Sequence, residues 1–251
     1  MFSNYPTALL AVPVALLAAD RLRPSRVALA AALTAAALCL ATPFTVEQAD
    51  LDARPRNAIP ALGVALTIAL VVRAWRRFPR GGGRLAGDGV RIVLALAAGV
   101  LAIPWMFAEL GFYAPDPILA DERPPGEQLA AVHLGRHHGM DGVLVALGAL
   151  AFSRALPAAR GALREAASLL LALALAYGVA NAVQDAWLEQ VEKRGWVDWG
   201  LASVTVPSLT PRWALIVAAA LAVHFLWFRR ERAEPVAAAG RPTRGEGRVS
   251  A

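Results

Sequence analysis

Long apolar runs separated by short polar connections dominate this chain. A helix needs about 20 mostly apolar residues to cross a bilayer, and seven runs approach that length. They cover residues 6–19, 27–46, 58–74, 90–112, 133–152, 163–184 and 211–228. The pattern predicts an all-α, polytopic integral membrane bundle with about seven transmembrane helices. Because the first run is short and contains Pro13, and the third ends at Arg73, six spans are the alternative.

Charges in the connections predict the orientation of these helices. Arginines follow the first, third, fifth and seventh runs, whereas the other connections are acidic or mixed. Cytoplasmic loops of membrane proteins carry an excess of basic residues. The alternation therefore predicts an N-terminus outside, a C-terminus in the cytoplasm and residence in the plasma membrane. Residues 229–251 have no apolar periodicity, so they are predicted to form a disordered basic cytoplasmic tail after a bundle that covers residues 1–228.

The composition supports the membrane class and limits the possible chemistry. Of the 251 residues, 57% are hydrophobic, more than a soluble domain of this size could bury. The net charge of +6 comes from arginines between apolar runs, so we expect no nucleic-acid partner. Cys39 is the only cysteine, which excludes a disulfide framework and a thiolate metal site. The many alanines and arginines are typical of a GC-rich bacterial genome.

Histidines cluster at the start of the fifth run, where ionisable groups are costly in a membrane and suggest function. His133, His137 and Asp141 recur every four residues, so they share one face of a helix, and His138 lies beside them. Imidazoles at this spacing can bind one divalent metal ion together with a carboxylate. We therefore predict these four residues as candidate ligands of zinc, iron or manganese.

The two other faces of this helix are predicted to contact different neighbours. Small residues form a seam that allows a neighbouring helix to approach closely, namely Gly135, Gly139, Gly142, Ala146 and Ala149. The opposite face is predicted to contact lipid and consists of Met140, Val143, Leu147 and Leu150.

Two neighbouring runs carry polar residues to the same outer side. Glu109 follows Trp105 by four residues near the end of the fourth run. The sixth run carries a polar arc of Tyr177, Asn181, Gln184 and Asp185. We predict Glu109 or Asp185 as a general base. Glu189 and Glu192, farther along, are predicted to face solvent, and the tryptophans at the outer helix ends are predicted to form an interfacial belt.

Two functions fit this pattern. The first is a metal-dependent hydrolase or transferase that acts on a lipid or envelope substrate at the outer leaflet, with an outward-facing His/carboxylate pocket. The alternative is a non-catalytic membrane component that binds a partner or solute, its histidines making structural or pH-responsive bonds between helices. His224, alone in the seventh run, is predicted to be a hydrogen-bonded packing residue. The sequence does not predict an oligomeric state.

Overall fold

Helices are the regular secondary structure of the part of the chain that the structure describes. The computed structural model describes residues 5–46, 55–77, 84–109, 138–192, 196–205 and 207–231. Its α-helices are α1 (Tyr5–Arg21), α2 (Arg26–Leu40), α3 (Thr42–Thr45), α4 (Ala58–Ala74), α5 (Asp88–Glu109), α6 (His138–Ser153), α7 (Gly161–Trp187) and α8 (Pro211–Val223). Two π-helical turns, Leu188–Glu192 and His224–Phe228, prolong α7 and α8. No strand occurs within these ranges, so the predicted all-α fold is confirmed.

Five helical segments are long and apolar enough to cross a membrane. They are Pro55–Arg77, Asp88–Met106, Gly139–Ala158, Gly161–Glu192 and Pro211–Phe228. Helices α1 and α2 have 17 and 15 residues. At 1.5 Å per residue they measure about 26 and about 23 Å, against a hydrocarbon core of about 30 Å. The predicted run 27–46 is divided after Leu40 because Pro43, at the start of α3, has no N–H to continue the hydrogen bonds of α2.

Helices α5 to α8 run in alternating directions, which gathers polar contacts at two ends of the bundle. At the end that we call the Arg91 end, Arg91 in the first turns of α5 pairs with Glu231, just beyond α8. At the opposite end, called the Asp185 end, Asp185 near the end of α7 bonds to Gly139 at the start of α6. The described chain ends with Glu231 at the Arg91 end, and residues 232–251 of the predicted tail lie outside the described residues.

Small side chains form much of the core between α1, α6 and α7. Residues with no exposed surface include Ala15 and Ala18 of α1, Ala149 of α6, and Ala167, Leu171, Ala172 and Ala174 of α7. Helices in a membrane associate through close packing rather than through a hydrophobic driving force, and small residues allow that approach. The alanine content of the chain therefore explains how α7 can pack against α1 and α6 at once.

The backbones of α6 and α7 touch where Gly142 faces Gly178. A Cβ atom on Gly142 would lie 2.7 Å from the Gly178 carbonyl oxygen, and one on Gly178 would lie 2.6 Å from the Gly142 carbonyl oxygen. Ala146 and Ala149, farther along the same side of α6, are buried. The close-packing seam is thus confirmed within α6, while Gly135 lies outside the described residues.

The face of α6 that was predicted to contact lipid is buried, so this prediction is wrong. Val143 is 2% exposed because it packs against Ala98 and Ala102 of α5, and Leu150 is 4% exposed within the core. Met140 and Leu147 are half-buried. Leu144, at 57% exposure, is the outward-facing residue instead. Helix α6 has neighbours on both sides, which its apolar pattern alone does not reveal.

Candidate functional site

The predicted site residues are divided between the described and the undescribed parts of the chain. His133 and His137 lie outside the described residues. Glu109 is the last residue of α5, and His138 is the first residue of α6. Asp141 lies in the first turn of α6 and Asp185 in the last turn of α7. The structure therefore brings the chain positions of Glu109, His138, Asp141 and Asp185 to the Asp185 end.

Asp185 joins α7 to the beginning of α6. Its Oδ2 atom accepts a hydrogen bond of 3.0 Å from the backbone N–H of Gly139, the second residue of α6. The first N–H groups of a helix have no acceptor within the helix. The positive end of the helix dipole also favours a carboxylate at this place. Asp185 thus caps α6 from a position 46 residues away in the sequence.

The negative charge of Asp185 is only partly balanced within the described structure. The residue is 8% exposed, and the Gly139 N–H is its one hydrogen-bond donor in that part of the chain. A helix N-terminus carries the equivalent of roughly half a positive charge. Burying a carboxylate without a full counter-charge costs several kcal/mol, even after relaxation. Asp185 is therefore a buried acidic group beside the chain positions of His138 and Asp141.

Trp105 of α5 covers the same first turn of α6. It is 1% exposed, and a Cβ atom on Gly139 would overlap its ring. Its indole Nε1 is buried and has no hydrogen-bond partner among the described residues. The sequence assigned Trp105 to an interfacial belt, whereas the structure packs it inside the bundle. Glycine at position 139 is what allows α5, α6 and α7 to meet there.

A row of polar side chains on α7 is buried beside this contact. Asn181, Gln184 and Asp185 are at most 8% exposed, as expected for the predicted arc. Glu189 is 4% exposed, so the prediction that it faces solvent is wrong. The chain does not leave the helix at Trp187 but continues through a π-helical turn to Glu192, which brings Glu189 back against the bundle.

The described residues do not by themselves form a metal site. No group of three or more histidine, cysteine or acidic residues among them is arranged to hold a metal ion. His133 and His137, the first two predicted ligands, are not in this part of the chain. The metal site and its four candidate ligands therefore stay predictions; of the four, Asp141 is the one whose side chain the structure describes, and it is half-buried.

His224 forms a side-chain contact with α7 toward the Arg91 end. His224 Nδ1 is 2.9 Å from Ser168 Oγ, and His224 Nε2 is 3.7 Å from Glu165 Oε2. Serine, histidine and carboxylate are the components of a nucleophilic triad. Ser168, however, is 1% exposed and lies between α7 and α8. The contact fits the predicted packing role of His224. Glu165 and Ser168 are three residues apart and so share one face of α7, which is the feature of the sequence that indicates a common contact.

The connection between α7 and α8 folds back along the bundle. Val204 is buried in the core, and Tyr177 Oη donates a 3.4 Å hydrogen bond to the Thr205 carbonyl oxygen. Tyr177 precedes Asp185 by about two helical turns. This connection therefore packs along α7 toward the Asp185 end.

Comparison with known proteins does not assign this chain to a family. The chain matches no protein-family model, no curated protein and no solved structure. Its function is accordingly inferred from its own residues.

Proposed function

We propose that this protein is a seven-span plasma-membrane protein with its N-terminus outside and its C-terminus in the cytoplasm. The five long apolar helices support membrane insertion, and the packing of α1 and α2 against each other and against α4 supports two further, shorter spans. Arg21, Arg77 and Arg154 all lie at the Arg91 end, as the positive-inside rule expects of a cytoplasmic face. The Asp185 end is then extracytoplasmic.

The central part of the proposal is a divalent metal site at the Asp185 end. His133, His137 and Asp141 are the proposed ligands, and His138 is a ligand or supports one. The observation that carries the proposal is the buried carboxylate of Asp185, which accepts one hydrogen bond, from the Gly139 N–H, among the described residues. A divalent metal ion bound by these residues would supply a positive charge to pair with that buried carboxylate.

The proposed reaction class is hydrolysis or group transfer on a lipid or envelope substrate at the outer leaflet. A divalent metal in such a site supplies Lewis acidity and an activated water. Glu109 or Asp185 is the proposed general base, and Asp185 has its Oδ1 atom available for that role because Oδ2 binds Gly139. The site lies where helices end, at the level of lipid head groups, which favours a substrate that is itself part of the membrane surface.

A second candidate function is favoured by the same hydrogen bond. Asp185 fastens α6 to α7, and a protonated histidine could supply its counter-charge without any metal. In that case the protein is a non-catalytic membrane component that binds a partner or solute, and the histidines are structural or pH-responsive.

Thermal unfolding of the purified full chain separates the two candidates. We expect a chelator to lower the unfolding midpoint of the wild-type protein, and added zinc, manganese or iron to restore it, since a ligand that binds only the folded state stabilises it. His137→Ala should lose this response, whereas His224→Ala should keep it because His224 lies far from the Asp185 end. A midpoint that is indifferent to metal, but falls in His137→Ala, would instead support the structural role of the histidines.

A further inference from the structure

Arginines from three separate chain segments lie close together at the Arg91 end, linked by hydrogen bonds to main-chain carbonyl oxygens. Arg23, in the turn after α1, donates a 3.1 Å hydrogen bond to the carbonyl oxygen of Arg160, which precedes α7. Arg77, beyond α4, donates a 3.3 Å hydrogen bond to the carbonyl oxygen of Arg21. Arg21 in turn donates to the Ala155 carbonyl oxygen at 3.3 Å. We call Arg21, Arg23, Arg77 and Arg160 the basic corner.

Two arginines of the basic corner have no carboxylate partner in the described part of the chain. Arg23 pairs with Asp20, with 2.9 Å between Nε and Oδ1. Arg77 and Arg160 are exposed, and neither forms an ion pair with a carboxylate in the described part of the chain. The main-chain carbonyl oxygens that accept hydrogen bonds from Arg23 and Arg77 do not neutralise the charge of these side chains. An anion bound between them would relieve the repulsion of like charges.

Apolar side chains beside the basic corner indicate which kind of anion it accepts. Val27 at the start of α2 is 79% exposed, Val72 near the end of α4 is 69% exposed, and Trp75 just beyond it is 63% exposed. Helices α2 and α4 pack side by side, so these residues flank the corner. A free phosphate ion has no apolar part to contact these side chains, whereas the acyl chains of a phospholipid can pack against them.

We propose that the basic corner binds the phosphate head group of an anionic phospholipid whose acyl chains lie along α2 and α4. Guanidinium groups match phosphate oxygens in pairs, and basic pockets between the ends of transmembrane helices suit anionic head groups. This binding is independent of the metal site at the Asp185 end. It requires only that the Arg91 end lies at a membrane surface.

The test is a lipid titration of the purified full chain in neutral detergent, followed by native mass spectrometry. The probes are phosphatidylglycerol, phosphatidylcholine with the same acyl chains, and inorganic phosphate. The variant is Arg77→Gln/Arg160→Gln. Its matched control is Arg84→Gln/Arg230→Gln, which removes two exposed charges from the same end outside the basic corner.

We expect the wild-type protein and the control to bind phosphatidylglycerol in preference to phosphatidylcholine. The Arg77→Gln/Arg160→Gln variant should bind phosphatidylglycerol about 30-fold more weakly, given the usual contribution of each basic residue near anionic lipid. Unchanged binding in that variant, equal losses in variant and control, or equal competition by inorganic phosphate would each overturn the proposal. If the double variant does not fold, Arg160→Gln alone should weaken binding about 5-fold, and unchanged binding would again overturn it.

Discussion

The carboxylate of Asp185 and the backbone N–H of Gly139 form a 3.0 Å hydrogen bond that ties the end of α7 to the start of α6. Replacing Asp185 with alanine leaves this buried N–H without an acceptor. We expect Asp185→Ala to lower the free energy of unfolding by about 1–3 kcal/mol. Asp185→Asn keeps an acceptor of the same shape and should cost less.

Unfolding of the purified protein in detergent measures both changes. The control is Asp198→Ala, since Asp198 is exposed beyond α7 and should change stability by no more than about 0.5 kcal/mol. Equal stability of Asp185→Ala and Asp198→Ala would contradict the capping role.

The contact between Gly142 and Gly178 predicts a strong size limit at both positions. Gly178→Ala places a methyl group 2.6 Å from a backbone oxygen that cannot rotate away, so α6 and α7 must separate. We expect a loss of about 1–3 kcal/mol of stability from this overpacking. The control is Gly99→Ala in α5, where no atom lies within 4 Å of the added Cβ. That variant should be neutral or stabilising, because alanine favours a helix over glycine by about 1 kcal/mol. Similar losses in both variants would show that the two helices are not in backbone contact.

The buried pair of Arg91 and Glu231 fastens the end of α8 to α5. Arg91 also donates to Ser153 Oγ at 2.9 Å, and the Trp227 ring lies over its guanidinium group. We expect Arg91→Ala to cost about 3–5 kcal/mol, because it leaves Glu231 as an uncompensated buried charge. Arg91→Met/Glu231→Met should recover most of that loss.

The control for this pair is Arg154→Ala. Arg154 is 47% exposed and pairs with Asp88, so its loss should cost about 0–1 kcal/mol. Denaturation in detergent gives the ranking, and a double variant no more stable than Arg91→Ala would contradict the account of the buried pair.

Labelling of single cysteines with a membrane-impermeant maleimide tests the orientation of the bundle. Leu209, at the Asp185 end before α8, is fully exposed, and Arg26 and Arg230 are exposed at the Arg91 end. Cys39 is 2% exposed, so background labelling should be low. In intact cells Leu209→Cys should react, whereas Arg26→Cys and Arg230→Cys should react only after permeabilisation.

A reactive Arg26→Cys together with an unreactive Arg230→Cys would contradict the seven-span arrangement. It would place the turn after α1 on the opposite side of the membrane from the turn after α8. The six-span alternative in which the third run does not cross the membrane would then be favoured.

Hydrophobic periodicity and the spacing of small residues predict much of this fold because both are properties of the local sequence. The helices, the seam of Gly142 and Ala146, and the buried arc of Asn181 and Asp185 all follow from which residues share one helical face. The face on which a residue lies can be predicted without knowing which helix packs against it.

The errors concern contacts that depend on distant parts of the chain. Val143 was assigned to lipid because its apolar face does not show that α5 packs over it. Glu189 was assigned to solvent because a π-helical turn is not visible in the apolar pattern. Arg91 pairs with Glu231, which is 140 positions away. The alternation of basic and acidic connections does not predict which arginine pairs with which carboxylate.

Metal analysis of the purified full chain tests the central claim most directly. We predict about one equivalent of zinc, iron or manganese per chain in the wild-type protein and in His224→Ala, and its loss in His137→Ala. The absence of a stoichiometric metal from the wild-type protein, or its retention in His137→Ala, would contradict the proposed metal site.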